Sequence, residues 1–193
     1  MPVLRFSSIK REHQQALLKV ARYAIEHYLS EQQRWQAEPE QYPTILQAPA
    51  ASFVTLHKNA QLRGCIGTLE AYQALVQDVA LHAYQAAFED RRFAALNPQE
   101  LPLIHISISI LSPSQALPSQ LNEAALIARL RPNQDGLILA QGNKRAVFLP
   151  QVWQQLPKPK NFIQQLKHKG GWSLNSPVEK MRCFKFQVLE FGE

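Results

Sequence analysis

Leu62-Arg63-Gly64-Cys65-Ile66-Gly67-Thr68 decides the reading of this chain. The stretch holds one of two cysteines and two of seven glycines. It lies between an alternating run, Phe53-Val54-Thr55-Leu56, and a helical pattern that opens near Tyr72. In an extended chain successive side chains point to opposite faces. Arg63 and Cys65 are then expected on one face, and Leu62 and Ile66 on the other. Gly64, on the apolar face, leaves room for close approach of another element. Gly67 is expected to end the strand through a φ that other residues resist. A cation beside a thiol at a strand end is an arrangement that lowers a thiol pKa, so this is where chemistry or recognition is expected.

Upstream of the hairpin formed by Phe53–Leu56 and Gln61–Ile66, with its turn near Asn59, Glu12 to Leu29 carries an amphipathic helical period, with Ser7 or Ser8 as its expected cap. His13 and His27 on it have no metal-ligand spacing and are expected at the surface. Glu31 to Pro49 is polar, punctuated by Pro39, Pro43 and Pro49, and predicts a connecting loop from which Trp35 packs over the core edge. Downstream, Tyr72 to Phe88 predicts a second helix whose alanines suit close packing, followed by Glu89-Asp90-Arg91-Arg92-Phe93. The basic pair suits a helix C-terminus as well as a charged cluster beside a cleft.

Ile104 to Leu111 alternates isoleucine with His105, Ser107 and Ser109, a half-exposed strand ended by Ser112-Pro113. Pro118 to Arg131 is weakly helical and is taken as a surface connection. Gly136–Ala140 and Ala146–Leu149 form a second hairpin around Gly142-Asn143. Pro150 opens a short helix through Leu156. Phe162 to Lys169 predicts another helix, stopped by Gly170, and Met181 to Phe191 a single closing strand. On that strand Cys183 has no motif around it and is expected to be inert packing. Strands and helices mix without regular βαβ alternation, which predicts an α+β fold with a mainly antiparallel sheet packed by helices. The 193 residues make one domain, or one domain with two lobes.

Composition limits the chemistry. No apolar run approaches the ~18 residues of a membrane span, and Met1 to His13 carries no signal-peptide pattern. Two cysteines make no disulfide framework; a reduced, cytoplasmic protein is the expectation. No dinucleotide, Walker, CxxC, HExxH or GxSxG motif occurs, so neither a cofactor nor a self-contained metal site is indicated. The net charge is +6, and residues 151 to 193 hold seven lysines and arginines against three glutamates. Such an excess suits phosphate or acidic partners, or simply a solvated surface.

Laid out in this order, the chain resembles the AmmeMemoRadiSam system protein A family, the AMMECR-type domain, from about Leu17 to Phe191. Leu62 to Thr68 looks like the family signature without a change. Phe53-Val54-Thr55-Leu56, Ala86-Ala87-Phe88-Glu89-Asp90, Arg92-Phe93, Ile108 to Pro113, Gly136-Leu137-Ile138 and Leu149-Pro150-Gln151-Val152 also match. Arg91 stands where the family usually has proline, Ser107 where a glutamate is common, and Lys167 at a frequent cysteine position. Lys169-Gly170-Gly171 follows, so a two-cysteine mechanism through that helix is not expected.

The resemblance implies one AMMECR-type domain over residues 1–193 with two lobes, and a groove between them centred on the signature. It also implies the company of a radical SAM enzyme and a Memo-like protein, for which this chain would be an accessory or substrate-handling protein. The surface expected to serve that role comprises Arg63, Gly64, Gly67, Thr68, Asp90, Arg92 and Gln151, with Cys65 as the candidate catalytic residue. Two alternatives stand beside it. One is a thiol-dependent enzyme with Cys65 as nucleophile, Arg63 steadying the thiolate, and Asp90 and Arg92 orienting an acidic or phosphorylated substrate. The other is an RNA-binding module that uses the positive charge.

Overall fold

The computed structural model describes residues 6–193; of the amino-terminal segment, Met1 to Arg5 lie outside the described residues. The chain divides into two compact units, one formed by the residues up to Ser112 together with Leu189–Glu193, the other by Pro113–Val188.

The first unit packs two long helices on a four-stranded sheet. Helix α1 (Arg11–Glu31) buries Leu17, Val20, Ala21, Ala24 and Ile25 on one face, and packs against helix α3 (Leu75–Phe88). Its start is not capped by Ser7 or Ser8, which sit in a preceding 3-10 turn. The Lys10 N–H donates instead to Nδ1 of His13 at 3.1 Å. With only 13% of its side chain exposed, His13 is a capping group rather than a free surface histidine. The proline-punctuated connection contains one short helix, α2 (Thr44–Gln47), and Trp35 packs against the core from it.

Strands β1 (Ala51–Lys58), β2 (Gln61–Gly67), β3 (Ile104–Leu111) and β8 (Val188–Gly192) form the sheet in the order β2-β1-β3-β8. The β1–β2 turn uses Asn59 and Ala60 at φ 52° and 61°, the left-handed pair that matches strand twist in a two-residue hairpin. Val54, Leu56 and the four isoleucines of β3 face the core, against Leu75, Val76, Val79 and the alanines of α3. Each such side chain contributes roughly 1.5–3 kcal/mol by leaving water. Helix α3 starts at Leu75 rather than Tyr72, which is 60% exposed. A polar knot ties it to β1: the Ser52 N–H and hydroxyl both donate to Oδ2 of Asp78, at 2.8 and 2.7 Å. Gln73 donates to the other Asp78 oxygen, and Nδ1 of His82 lies 3.2 Å from the first. All three of Ser52, Asp78 and His82 are buried; the apolar period of the helix conceals them.

The second unit has its own sheet, ordered β4-β7-β5-β6: β4 (Gln115–Ala116), β5 (Gly136–Gln141), β6 (Lys144–Phe148) and β7 (Arg182–Phe186). It packs against α4 (Glu123–Ile127) and α5 (Pro159–Lys169). The segment Pro118 to Arg131 is more than a surface connection. Asn122 caps α4, its Oδ1 accepting from the Ala125 N–H at 2.8 Å, and Leu126 is fully buried. Trp153 stacks flat on Phe162 at 3.7 Å, and its indole N–H donates to the Asp135 carbonyl. The left-handed residue after α5 is Gly171 (φ 71°), not Gly170. Gly170 is needed for space: a Cβ there would lie 1.9 Å from the Trp172 ring.

Lys167 in the last turn of α5 is buried, its ammonium on Glu123 at 2.7 Å. Cys183 faces this core, and burial pushes its thiol up to about 11. The expected closing strand is two strands in two sheets: β7 pairs with β4 and β5, while β8 lies beside β3 in the first unit. Alternation along Met181 to Phe191 reports an extended chain, but the same pattern serves either sheet.

Among the described residues, no helix is long and apolar enough to cross a membrane.

Candidate functional site

Strand β2 is an edge of the first sheet. Its partner register runs Thr55↔Cys65 and Leu56↔Gly64, then slips to His57↔Leu62. The slip leaves Arg63 as an extra residue, a bulge that re-aims its side chain. Paired residues share a face, so Leu62 goes with His57 rather than with Gly64 and Ile66, and its 42% exposure follows. Gly64 is buried because the end of α3 closes onto it: a Cβ there would stand 2.1 Å from the Ala86 carbonyl oxygen. Gly67 does not adopt a positive φ. It is required by contact, since a Cβ would fall 2.3 Å from the Phe53 ring. After it, the Thr68 N–H donates to the Ser52 carbonyl, and its Oγ1 accepts from the Glu70 N–H.

The closure of α3 onto Gly64 delivers Asp90 and Arg92 to the open edge of the sheet. Asp90 Oδ2 accepts the Cys65 N–H at 2.9 Å, and Arg92 Nη2 donates to the Cys65 carbonyl at 3.2 Å. The two side chains are locked together, Nε to Oδ1 at 2.9 Å and Nη2 to Oδ2 at 2.7 Å. For one residue the pair supplies the donor and acceptor that a neighbouring strand would supply. Asp90 is only 5% exposed at its side chain. Its hydrogen bonds from the Arg92 guanidinium, aided by the Cys65 and Arg92 N–H groups, outweigh burial and hold its carboxyl well below the usual carboxylate range.

Arg63 is committed to a second carboxylate. Its Nε and Nη2 reach the two oxygens of Glu100 at 3.0 and 2.9 Å, and Nη2 also donates to the Ala94 carbonyl. Lys58 adds a third bond to Glu100 at 2.9 Å. The guanidinium groups of Arg63 and Arg92 lie 5.9 and 5.5 Å from the centroid of the Phe93 ring, a distance at which a cation is attracted to an aromatic face. Arg63 and Lys58 draw the Glu100 carboxyl down to about 2 against the opposing effect of burial.

Since the folded value lies below the unfolded one, the resulting stability is present above the ordinary carboxylate range and is lost as pH falls through the folded value. Between pH 5 and pH 2 the wild type is expected to lose about 2 kcal/mol more than Glu100→Gln. Urea midpoints across that range check this, and parallel pH profiles of the two proteins would refute it.

Cys65 itself is half-buried; its sulfur accepts a hydrogen bond from the Thr55 hydroxyl at 3.3 Å. Among the described residues of this unit, no imidazole is hydrogen-bonded to it. His105, opposite His57 on β3, is exposed.

The structure thus brings Arg63, Gly64, Cys65, Gly67, Thr68, Asp90 and Arg92 together in the first unit. Gln151 belongs to the second, half-buried in a 3-10 turn over Pro150–Gln154. Sequence reasoning missed Glu100 and Thr55. A signal for Glu100 exists in the Asn97-x-x-Glu100 spacing: Asn97 Oδ1 accepts the Glu100 N–H at 3.1 Å, and the Asn97 N–H donates back to Glu100 Oε2 at 3.3 Å, the reciprocal geometry of a capping box.

A family model described as AMMECR1 matches residues 18–191. A protein of Methanothermobacter thermautotrophicus is 34% identical over 192 residues, covering 98% of this chain and 99% of its own. Protein TK0174 of Thermococcus kodakarensis is 32% identical, covering 94% of this chain and 92% of its own. Among solved structures, the crystal structure of the uncharacterized protein PH0010 from Pyrococcus horikoshii superposes with a TM-score of 0.83 at 26% identity, covering 95% of this chain and 93% of that one.

Proposed function

The chain belongs to the AMMECR1 family, and from that premise we propose that it is an accessory, substrate-handling protein. It works with a radical SAM enzyme and a Memo-like protein, and the Leu62–Thr68 strand is its contact surface. The observation that supports this reading is the use made of Asp90 and Arg92. Both are spent on the backbone of Cys65 and on each other, so the ionic pair holds the form of a strand edge instead of reaching for a charged ligand. Arg63 is likewise occupied by Glu100. A surface whose shape is fixed before contact loses less entropy when a partner docks.

The test is co-expression with the two partner proteins from the same organism, followed by size-exclusion chromatography at low salt. Co-elution that is lost in Arg92→Ala is the expected result. Failure of either partner to co-elute at any protein concentration sinks the proposal, and release of bound RNA by nuclease would point to the nucleic-acid alternative instead.

A second reading, a thiol-dependent enzyme, draws on the half-exposed thiol and on the Arg92 guanidinium held beside it by its bond to the Cys65 carbonyl. Native protein treated with iodoacetamide is expected to take label at Cys65 at least ~100-fold faster than at buried Cys183, as resolved by mass spectrometry. Comparable rates would show that neither thiol is selectively presented. Cys65→Ser separates the two functional readings: unchanged complementation of a deletion strain removes the enzyme, whereas lost complementation with intact partner binding removes the purely accessory role.

A further inference from the structure

Away from the signature, between α1 and the loop that follows it, the first unit holds a cleft of about 470 Å³, within the ~300–1,000 Å³ range of small-molecule sites. Its floor includes Val20, and its walls carry three aromatic rings, Tyr23, Trp35 and Tyr42. Tyr23 and Trp35 stand nearly perpendicular, 84° apart with centroids at 4.8 Å, an edge-to-face pair that forms one side of the cleft. Tyr23 is 47% exposed, an apolar surface that the fold does not use. Trp35 also lines a second cavity of about 140 Å³ beside Ala37, Gln77 and Leu81. Trp35 thus borders both cavities while it packs against the core.

Among the described residues lining the cleft, Lys19 is the one ionised side chain, with Gln41 as a neutral polar neighbour. Glu38, on the same loop, is engaged by the Gln41 amide and does not line the cleft.

We propose that this cleft binds a planar aromatic molecule carrying a single anionic group, its ring against Trp35 and Tyr23 and its charge toward Lys19. A flat ring matches the aromatic walls, where offset or edge-on contacts are favoured. The positive end contributed by Lys19 selects an anion and rejects the ammonium ligands that aromatic cages otherwise take. An aromatic acid and a nucleoside monophosphate share this chemistry. The proposal is independent of the contact surface assigned to Leu62–Thr68.

The experiment is calorimetric titration of the full chain with two matched pairs, 2-naphthoate against 2-naphthamide and adenosine monophosphate against adenosine. In at least one pair the anion is expected to bind up to ~fivefold more tightly than its uncharged partner at low salt, as for an exposed ion pair. The pair that shows the preference identifies the source, acid or nucleotide. Lys19→Met should erase the preference and keep the ring binding. Trp35→Leu should weaken both members roughly tenfold, with Tyr23→Leu as the substitute if that variant does not fold. Cys65→Ser should bind as the wild type does. Equal binding of anion and neutral partner in both pairs, a preference that survives Lys19→Met, or no binding by any of the four at millimolar concentration would overturn the proposal.

Discussion

Gly64→Ala is expected to destabilise the first unit by about 3 kcal/mol, at the upper end of overpacking costs. The added Cβ meets the Ala86 carbonyl oxygen at 2.1 Å and its carbon at 3.0 Å. Both are helix backbone, so no rotamer change relieves the clash; α3 must withdraw from β2. That withdrawal carries Glu89 and Asp90 with it, because they follow directly on the helix end. The Cys65 amide then loses its acceptor. Two measurements follow the chain of effects: the urea midpoint, and hydrogen exchange at the Cys65 amide. Gly142→Ala is the control, since nothing lies within 4 Å of a Cβ there, and only the positive φ costs about 1 kcal/mol. A Gly64→Ala loss no larger than the Gly142→Ala loss would show that the helix-to-strand approach is not tight.

Asp90→Ala is expected to cost roughly 2–3 kcal/mol. It leaves the Cys65 N–H without its acceptor and removes the carboxylate from Arg92, and an orphaned buried donor costs ~1–3 kcal/mol by itself. Arg92 is 56% exposed at its side chain and turns to water, which limits the penalty. The second effect is on association. With the pair gone, β2 presents an uncovered edge at Cys65, and uncovered edges pair with other chains. Light scattering at increasing concentration is expected to report self-association in Asp90→Ala and not in the wild type. Asp90→Asn keeps an acceptor oxygen and should recover part of the stability. A variant as stable and as monodisperse as the wild type would show that the edge needs no cover.

The architecture was legible wherever one physical signal acted alone. The isoleucines of β3 alternate against histidine and serine, and that strand occupies Ile104–Leu111 as its pattern requires. Asn59 placed the hairpin turn, and the apolar stripe from Leu17 to Ile25 placed α1. The resemblance carried on Leu62–Thr68 gave the family. Local reading failed where a distant partner decided the outcome. Leu62 changed face because β2 slips by one residue against His57. Gly67 is fixed by the Phe53 ring rather than by its own φ.

Nothing local to Arg63 announces Glu100, thirty-seven residues away, and nothing around Ser52 announces the buried Asp78 and His82. The site was therefore visible as a segment. Its wiring, in which each cation already holds a carboxylate, was not.

The division of Met181–Phe191 between two sheets has a consequence for biosynthesis. Pro113–Val188 is continuous in the chain, whereas the first unit is interrupted after Ser112 and resumes only at Leu189. On the ribosome the later unit can complete its sheet while the earlier one still lacks its last strand, and domains generally fold as units as they emerge. The missing piece supplies Leu189 and Phe191 to the core, and Glu193, whose carboxylate binds Arg22 and the Ile106 N–H. A chain that ends before Leu189 and is held on the ribosome by a linker long enough to clear the exit tunnel would hold a folded insert within an unfinished host. The unit that begins second in the sequence is thus the first to have all its residues made.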